Sequence, residues 1–193
     1  MEKYDKVVLL LIDVQRAFFS DIPPIGAAFP DFRHNVERLL GLCRSDEVGI
    51  EVVHVRAVYN PEVSAWTAYW HALNPDKKTV VTEEPEDFTR ELPGEKVLHK
   101  NNFDGFLNAE LDKYLKEKGK TLVVCCGLIT SCCVLFTTSG AFMRGYKTVV
   151  VEDCCGDRTV EKHDNTMNTY GHYMFTRATV DTLLATCDRL LTL

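Results

Sequence analysis

A thiol, a carboxylate and an ammonium recur in this chain where extended apolar runs give way to polar sequence. Asp13 closes the run that starts at Lys6, and Lys100 follows Val97–His99. Cys132 and Cys133 follow Gly127, which closes the run Thr121–Cys126, and Glu152-Asp153 follow Lys147–Val151. A thiol in the first turn of a helix faces the positive end of the macrodipole, which favours the thiolate. A carboxylate beside it can take its proton, and an ammonium can stabilise the charged pair. Backbone N–H groups at the same helix start can hold an oxyanion. Taken singly, Asp13 also suits a strand-terminal turn, Lys100 a solvated surface and Cys133 a small buried hydrophobe. Their joint position at three strand ends points to nucleophilic catalysis, with Cys132 and Cys133 not separable by residue type.

The elements that must position these groups alternate. Lys6–Asp13 and Ile50–Val58 read as strands, the first as a nearly continuous apolar run buried on both faces. Pro23, Pro24, Gly26 and Pro30 read as a loop, followed by a helix that Asp31 caps, with Val36, Leu39, Leu40 and Cys43 at helical spacing. Asn60–Pro93 is long and irregular and carries Trp66, Tyr69 and Trp70; loops of that length are often functional lids. Val97–His99 predicts a short strand, and Phe106–Lys118 a helix with Leu107, Leu111 and Leu115 in register and Gly119 as its stop. After Thr121–Cys126, Thr130 or Ser131 is expected to cap a helix running to Arg144. A fifth strand spans Lys147–Val151, a helix Thr159 to about Tyr170, and a sixth strand Phe175–Val180. Asp181 would cap a last helix presenting Leu183, Leu184, Cys187 and Leu190 or Leu191. Repeated strand–helix units with right-handed crossovers give a three-layer α-β-α, Rossmann-like α/β fold with a six-stranded, mainly parallel sheet, whose ligands bind beyond the strand carboxyl ends.

With 193 residues the expectation is a single domain over 1–193. The apolar fraction is 46% and the charged fraction 26%, ordinary for a globular chain. The net charge of −6 and the lack of a basic block argue against nucleic acid or an anionic membrane as partner. No apolar run approaches the roughly 18 residues that span a bilayer. The opening Met-Glu-Lys-Tyr-Asp-Lys has no export signature, so the reading is cytoplasmic. The eight cysteines then read as reduced thiols. Cys125, Cys126 and Cys187 read as packing residues, and Cys154-Cys155 lack metal-ribbon or redox spacing.

Three stretches carry a resemblance to a known family. Leu9–Phe18, with Asp13-Val14-Gln15-Arg16, resembles the opening motif of the isochorismatase-like cysteine hydrolases. Lys100 followed by Asn101-Asn102-Phe103-Asp104-Gly105-Phe106 is similar to their lysine motif. Gly127-Leu128-Ile129-Thr130-Ser131-Cys132-Cys133-Val134, with Thr138, Ala141, Gly145 and Tyr146, is similar to their nucleophile motif; Asp153 and Glu161-Lys162-His163 also fit. The resemblance implies a triad of Asp13, Lys100 and Cys133, the nucleophile lying six residues after the glycine. It also implies a cis peptide at Leu128–Ile129 and an oxyanion hole from the N–H groups of Ile129 and Cys133.

The implied activity is hydrolysis of a C–N bond in a small amide, carbamoyl or ureido substrate through a thioester. The alternatives are isochorismatase-type vinyl-ether hydrolysis and a catalytically silent member acting as an interaction module. The Asp-x-His metal motif of related nicotinamidases is absent after the second strand, where His54-Val55-Arg56-Ala57-Val58-Tyr59-Asn60 stands and His71 is alone within the long loop. The expectation is therefore no metal and no cofactor. Phe18, Phe19, Trp66, Trp70 and Phe103 are candidate pocket walls, and Arg56 is a candidate partner for a substrate carboxylate or, alternatively, a strand-edge ion pair. The family resemblance also implies a homodimer or homotetramer.

Overall fold

The computed structural model describes residues 3–20, 24–45, 48–60, 62–75 and 83–186. In chain order the elements are β1 (Lys6–Ile12), α1 (Arg16–Ser20), α2 (Pro24–Ala28), α3 (Phe32–Cys43), β2 (Ile50–Ala57), α4 (Ala65–Leu73) and β3 (Lys96–Lys100). Then come α5 (Ala109–Glu117), β4 (Thr121–Leu128), α6 (Leu135–Met143), β5 (Lys147–Gly156), α7 (Val160–Tyr170), β6 (Thr176–Ala178) and α8 (Val180–Thr186). The strands form one sheet in the order β3-β2-β1-β4-β5-β6, and all five pairings are parallel.

The strand order explains the placement of the site. From β1 the chain steps outward through β2 and β3, then returns to β4 on the other side of β1 and steps outward again. Right-handed crossovers then send the helices of the two halves to opposite faces of the sheet. The direction of winding reverses between β1 and β4, and at that point the connections diverge and leave a crevice at the strand carboxyl ends. Val7–Ile12 of β1 and the whole of β4 are buried, as strands covered on both faces must be. At their carboxyl ends Ile12 pairs with Gly127. Gly127 has φ +122°, and a Cβ there would lie 2.0 Å from the Ile12 carbonyl oxygen, so this close approach requires glycine.

Several sequence expectations change at element ends. The stretch read as a loop from Pro23 contains the one-turn helix α2, which starts at Pro24, a residue type suited to the first helical position. Asp31 stands at the N-cap of α3 but makes no side-chain cap bond. The long segment after β2 holds α4, capped by Ser64, whose side chain accepts from the Thr67 N–H. Leu107 is exposed and lies before α5, whose cap is Asn108; the every-fourth leucine spacing was coincidental there. β5 runs on through Glu152-Asp153 and Cys154-Cys155 to Gly156, because Glu152 pairs with Arg177 and Asp153 accepts from the Val180 N–H. β6 is confined to Thr176–Ala178. α8 begins one residue before Asp181, and Thr179 Oγ1 accepts from the Thr182 N–H in the capping role. Cys187, Leu190 and Leu191 lie outside the described residues. Among those residues, no helix is long and apolar enough to cross a membrane.

Candidate active site

β1 hands Asp13 to the crevice through an unusual backbone. Asp13 has φ +53°, in the left-handed region where Asp and Asn are tolerated better than most residues. Its N–H continues the β1–β2 ladder to the Val55 carbonyl at 2.9 Å. Gln15, two residues on, locks this end to β2: its Nε2 donates to the Ala57 carbonyl and its Oε1 accepts from the Ala57 N–H. Ala57 is in turn paired with Lys100 at the end of β3. The Lys100 Nζ stands 2.7 Å from Asp13 Oδ2, with both side chains fully buried, and donates to the Asn102 carbonyl at 2.9 Å.

The turn after β4 presents the thiols. The peptide between Leu128 and Ile129 is cis. Neither Thr130 nor Ser131 caps a helix as the sequence predicts. Residues Thr130–Val134 form a wide π turn in which the Val134 N–H reaches the Ile129 carbonyl, and α6 follows. Thr130 is occupied elsewhere: its hydroxyl donates to the Gly156 carbonyl and meets His163 Nδ1 at 2.9 Å. Asp157 Oδ2 accepts from the Ser131 N–H at 2.7 Å. The turn is thus tied to the end of β5 and to α7, which fixes the direction of the next two side chains.

Those side chains separate by depth. Cys133 is 2% exposed, whereas Cys132 is half-buried. Sequence reasoning expected the helix start to lower the Cys133 pKa; instead the Cys132 sulfur, followed by burial, pushes the Cys133 thiol well up, and the pull of Lys100 does not overcome them. Cys132 is lowered, first by its hydrogen bond with Cys133, then by Lys100 and Arg158 against the opposing effect of burial. Burial, followed by Cys133, lifts Asp13 well above the usual carboxylate range against the pull of Lys100. Burial alone would lower the Lys100 ammonium, but Asp13 and Cys133 hold it above its ordinary range. The result is a permanently charged ammonium beside a carboxylate with raised proton affinity and a thiol that keeps its proton at rest. That arrangement suits proton transfer from sulfur to carboxylate when a substrate arrives.

An aromatic wall stands over the sulfur. The Tyr59 Oη is 3.8 Å from Cys133 Sγ. Its ring lies 4.8 Å from Trp66, which in turn meets Phe103 edge-on at 5.6 Å. Phe103 stacks on Phe136, and Trp70 borders Trp66 at 6.5 Å. Tyr59 escaped sequence reasoning although it lies just past β2, where the strand-end rule applies. Other candidates lie elsewhere. Phe18 is packed into the core, and Phe19 packs on Phe32. Arg56 is not held ready for a substrate: its guanidinium is nearly buried and paired with Glu91. Next to it, His54 pairs with Glu95, which also takes a two-pronged contact from Arg44. Among the described residues no three His, Cys, Asp or Glu side chains converge as a metal-ligand set.

Comparison with known proteins gives the fold and site a family. The chain is 30% identical over 164 residues to the maleamate amidohydrolase of Pseudomonas putida, covering 82% of this chain and 76% of that protein. An isochorismatase family protein from Desulfovibrio vulgaris superposes with a TM-score of 0.80 at 26% identity, covering 95% of this chain and 99% of that one. The N-carbamoylsarcosine amidase of Thermoplasma acidophilum superposes with a TM-score of 0.73 at 25% identity, covering 91% and 97%. A sequence model of the isochorismatase domain matches residues 7–182, and the chain therefore belongs to the isochorismatase family of hydrolases.

Proposed function

We propose that this protein hydrolyses the C–N bond of a small amide, carbamoyl or ureido compound, with Cys133 as nucleophile, Asp13 as base and acid, and Lys100 as the fixed cation. The observation that carries this reading is the fully buried Asp13–Lys100 pair set against the Cys133 thiol. Asp13 takes the proton from Cys133 Sγ, and Lys100 stabilises the charge that forms. The sulfur attacks the carbonyl carbon, and the N–H groups of Ile129 and Cys133 hold the oxygen that becomes negative. As the C–N bond breaks, Asp13 returns its proton to the leaving nitrogen. Water then attacks the thioester carbon, with Asp13 accepting one of its protons. The acid leaves, and that proton returns to Cys133. The amide-cleaving names of two of the relatives support C–N cleavage in preference to vinyl-ether cleavage.

The test is a panel of small amides, ureido acids and isochorismate, scored for ammonia or pyruvate release. Cys133→Ala abolishes ammonia release and Cys132→Ala retains it. Retention of turnover in Cys133→Ala with loss in Cys132→Ala would refute the assignment of the nucleophile. Pyruvate release that survives in Cys133→Ala would establish vinyl-ether chemistry instead.

A further inference from the structure

Cys133 Sγ has a neighbour that plays no part in the steps above. Tyr59 lies two residues beyond β2, and its phenolic oxygen is 3.8 Å from the sulfur, hydrogen-bonding distance for an atom of that size. Its ring is held by Trp66 at 4.8 Å and lies under the Lys100 ammonium, 5.8 Å from the ring centroid. β2 is clamped at Ala57 by Gln15, and the Val58 N–H donates to the Lys100 carbonyl at 2.9 Å, so the backbone leading to Tyr59 is fixed to both neighbouring strand ends.

We propose that Tyr59 is a further catalytic residue, whose phenolic O–H donates to Cys133 Sγ and holds the negative charge on sulfur once Asp13 has taken the thiol proton. The assignment rests on the reading of Cys133 as nucleophile. The direction of the bond follows from counting protons. In the resting thiol either atom can donate. After proton transfer the sulfur has none left, and only the phenol can. Burial, followed by the negative charge of Cys133 and Asp13, raises the Tyr59 hydroxyl far above its ordinary range, so it remains protonated at any pH where the enzyme works.

The groups facing the sulfur show why this donor matters. Asp13 comes from the end of β1, Lys100 from the end of β3, Cys132 from the π turn and Tyr59 from the end of β2. Cys132 and burial oppose a thiolate, and Lys100 favours it. Lys100 is shared with Asp13 and Asn102. A hydrogen bond to an ionised acceptor is about twice as strong as one between neutral groups, and Tyr59 supplies it to a sulfur whose residue is only 2% exposed.

The experiment is Tyr59→Phe, which keeps the ring contacts and removes one oxygen. The second-order rate at which iodoacetamide alkylates Cys133 near neutral pH is read by peptide mass spectrometry in wild type and in Tyr59→Phe, with Cys133→Ala and the Tyr59→Phe/Cys133→Ala double variant as blanks. The alkylation rate falls several-fold, because the rate follows the small thiolate fraction, and kcat/KM falls roughly 10- to 100-fold, about tenfold for each 1.4 kcal/mol of lost stabilisation of the sulfur charge. The melting temperature stays within about 2 °C, as expected for loss of one contact without repacking. An unchanged alkylation rate overturns the proposal. If no amide is hydrolysed but the alkylation rate falls, the hydrolase reading fails and the Tyr59 bond stands. If amides are hydrolysed through Cys133 and the alkylation rate does not change, the Tyr59 proposal fails alone.

Discussion

Lys100→Met is the sharpest probe of the buried pair. Methionine keeps the apolar stem and removes the ammonium that stands 2.7 Å from Asp13 Oδ2. Neither side chain has any exposure, so a carboxylate would be left without counter-ion or water. Breaking a buried ion pair from one side costs about 3–5 kcal/mol. Asp13 can escape part of that cost by binding a proton. Burial and Cys133 already place it well above the usual range, and loss of Lys100 removes an opposing influence, so the variant's Asp13 rises further. A carboxyl whose folded pKa exceeds its unfolded one holds more protons folded than unfolded, so stability falls as pH rises, by about 1.4 kcal/mol per unit. The gap between wild type and variant therefore opens above the pH where wild-type Asp13 ionises. It stops growing where the variant's Asp13 does. The raised Lys100 contributes fully at all pH below the ordinary lysine range, so it adds no slope near neutrality. Below the pH at which wild-type Asp13 ionises, the expected loss is only the bond to the Asn102 carbonyl, about 1 kcal/mol. Toward the alkaline end it reaches about 3–5 kcal/mol, a drop in melting temperature of roughly 6–20 °C for a chain of this size. Urea titrations across that range measure it directly. Asp13→Asn/Lys100→Met, in which Asn accepts the φ of +53°, should show no slope and be more stable than Lys100→Met at high pH. A gap that stays constant with pH, or a double variant weaker than the single one at the alkaline end, would refute the reasoning.

Two further perturbations test the frame around the site. A Cβ on Gly127 would lie 2.0 Å from the Ile12 carbonyl oxygen at φ +122°, so Gly127→Ala should cost more than about 4 kcal/mol; native-like solubility and an unchanged urea midpoint would show that β1 and β4 can separate without penalty. Glu95 is held at about 2 because, although burial raises it, hydrogen bonds from Arg44 and His54 lower it more. Glu95→Gln should lose about 2–3 kcal/mol near neutral pH, and the difference should fade as pH falls from the ordinary glutamate value of 4.5 to about 2; a loss that persists under acid would assign it to shape and not charge.

The strands were legible because parallel strands covered on both faces carry unbroken apolar runs, as in Val7–Ile12 and Thr121–Cys126. Element ends were less so, because the deciding partners are distant in the chain. Glu152-Asp153 looked like a strand end, yet Arg177 and the Val180 N–H satisfy them 25 and 27 residues later. Thr130 looked like a cap, yet Gly156 and His163 claim its hydroxyl. Arg56 was open to a substrate carboxylate or an ion pair, and Glu91, 35 residues on, takes it as an ion pair. The strand-end rule pointed to Asp13, Lys100 and the Cys132-Cys133 pair without separating the two thiols, and the structure gathers these residues at one crevice because the chain reverses its winding between β1 and β4. Applied to β2 with equal rigour, the same rule reaches Tyr59.

Cys132 and Cys133 show where residue type stops being informative. Both follow Gly127, both are thiols, and a helix dipole would act on both. What distinguishes them is the π turn, held by Asp157 and by the Thr130–His163 contact, which leaves Cys132 half-buried and turns Cys133 toward Asp13, Lys100 and Tyr59. The dipole argument alone predicts a standing thiolate at Cys133. Its own neighbour and its burial predict the opposite, and they prevail. A buried thiol with a raised pKa is inert to casual electrophiles, while an adjacent carboxylate of raised proton affinity can still remove its proton at the moment of attack. In this reading the site trades a permanently reactive sulfur for one that ionises only when a carbonyl stands ready to receive it. That makes the donors around the sulfur, and not the sulfur's resting charge, the determinants of rate.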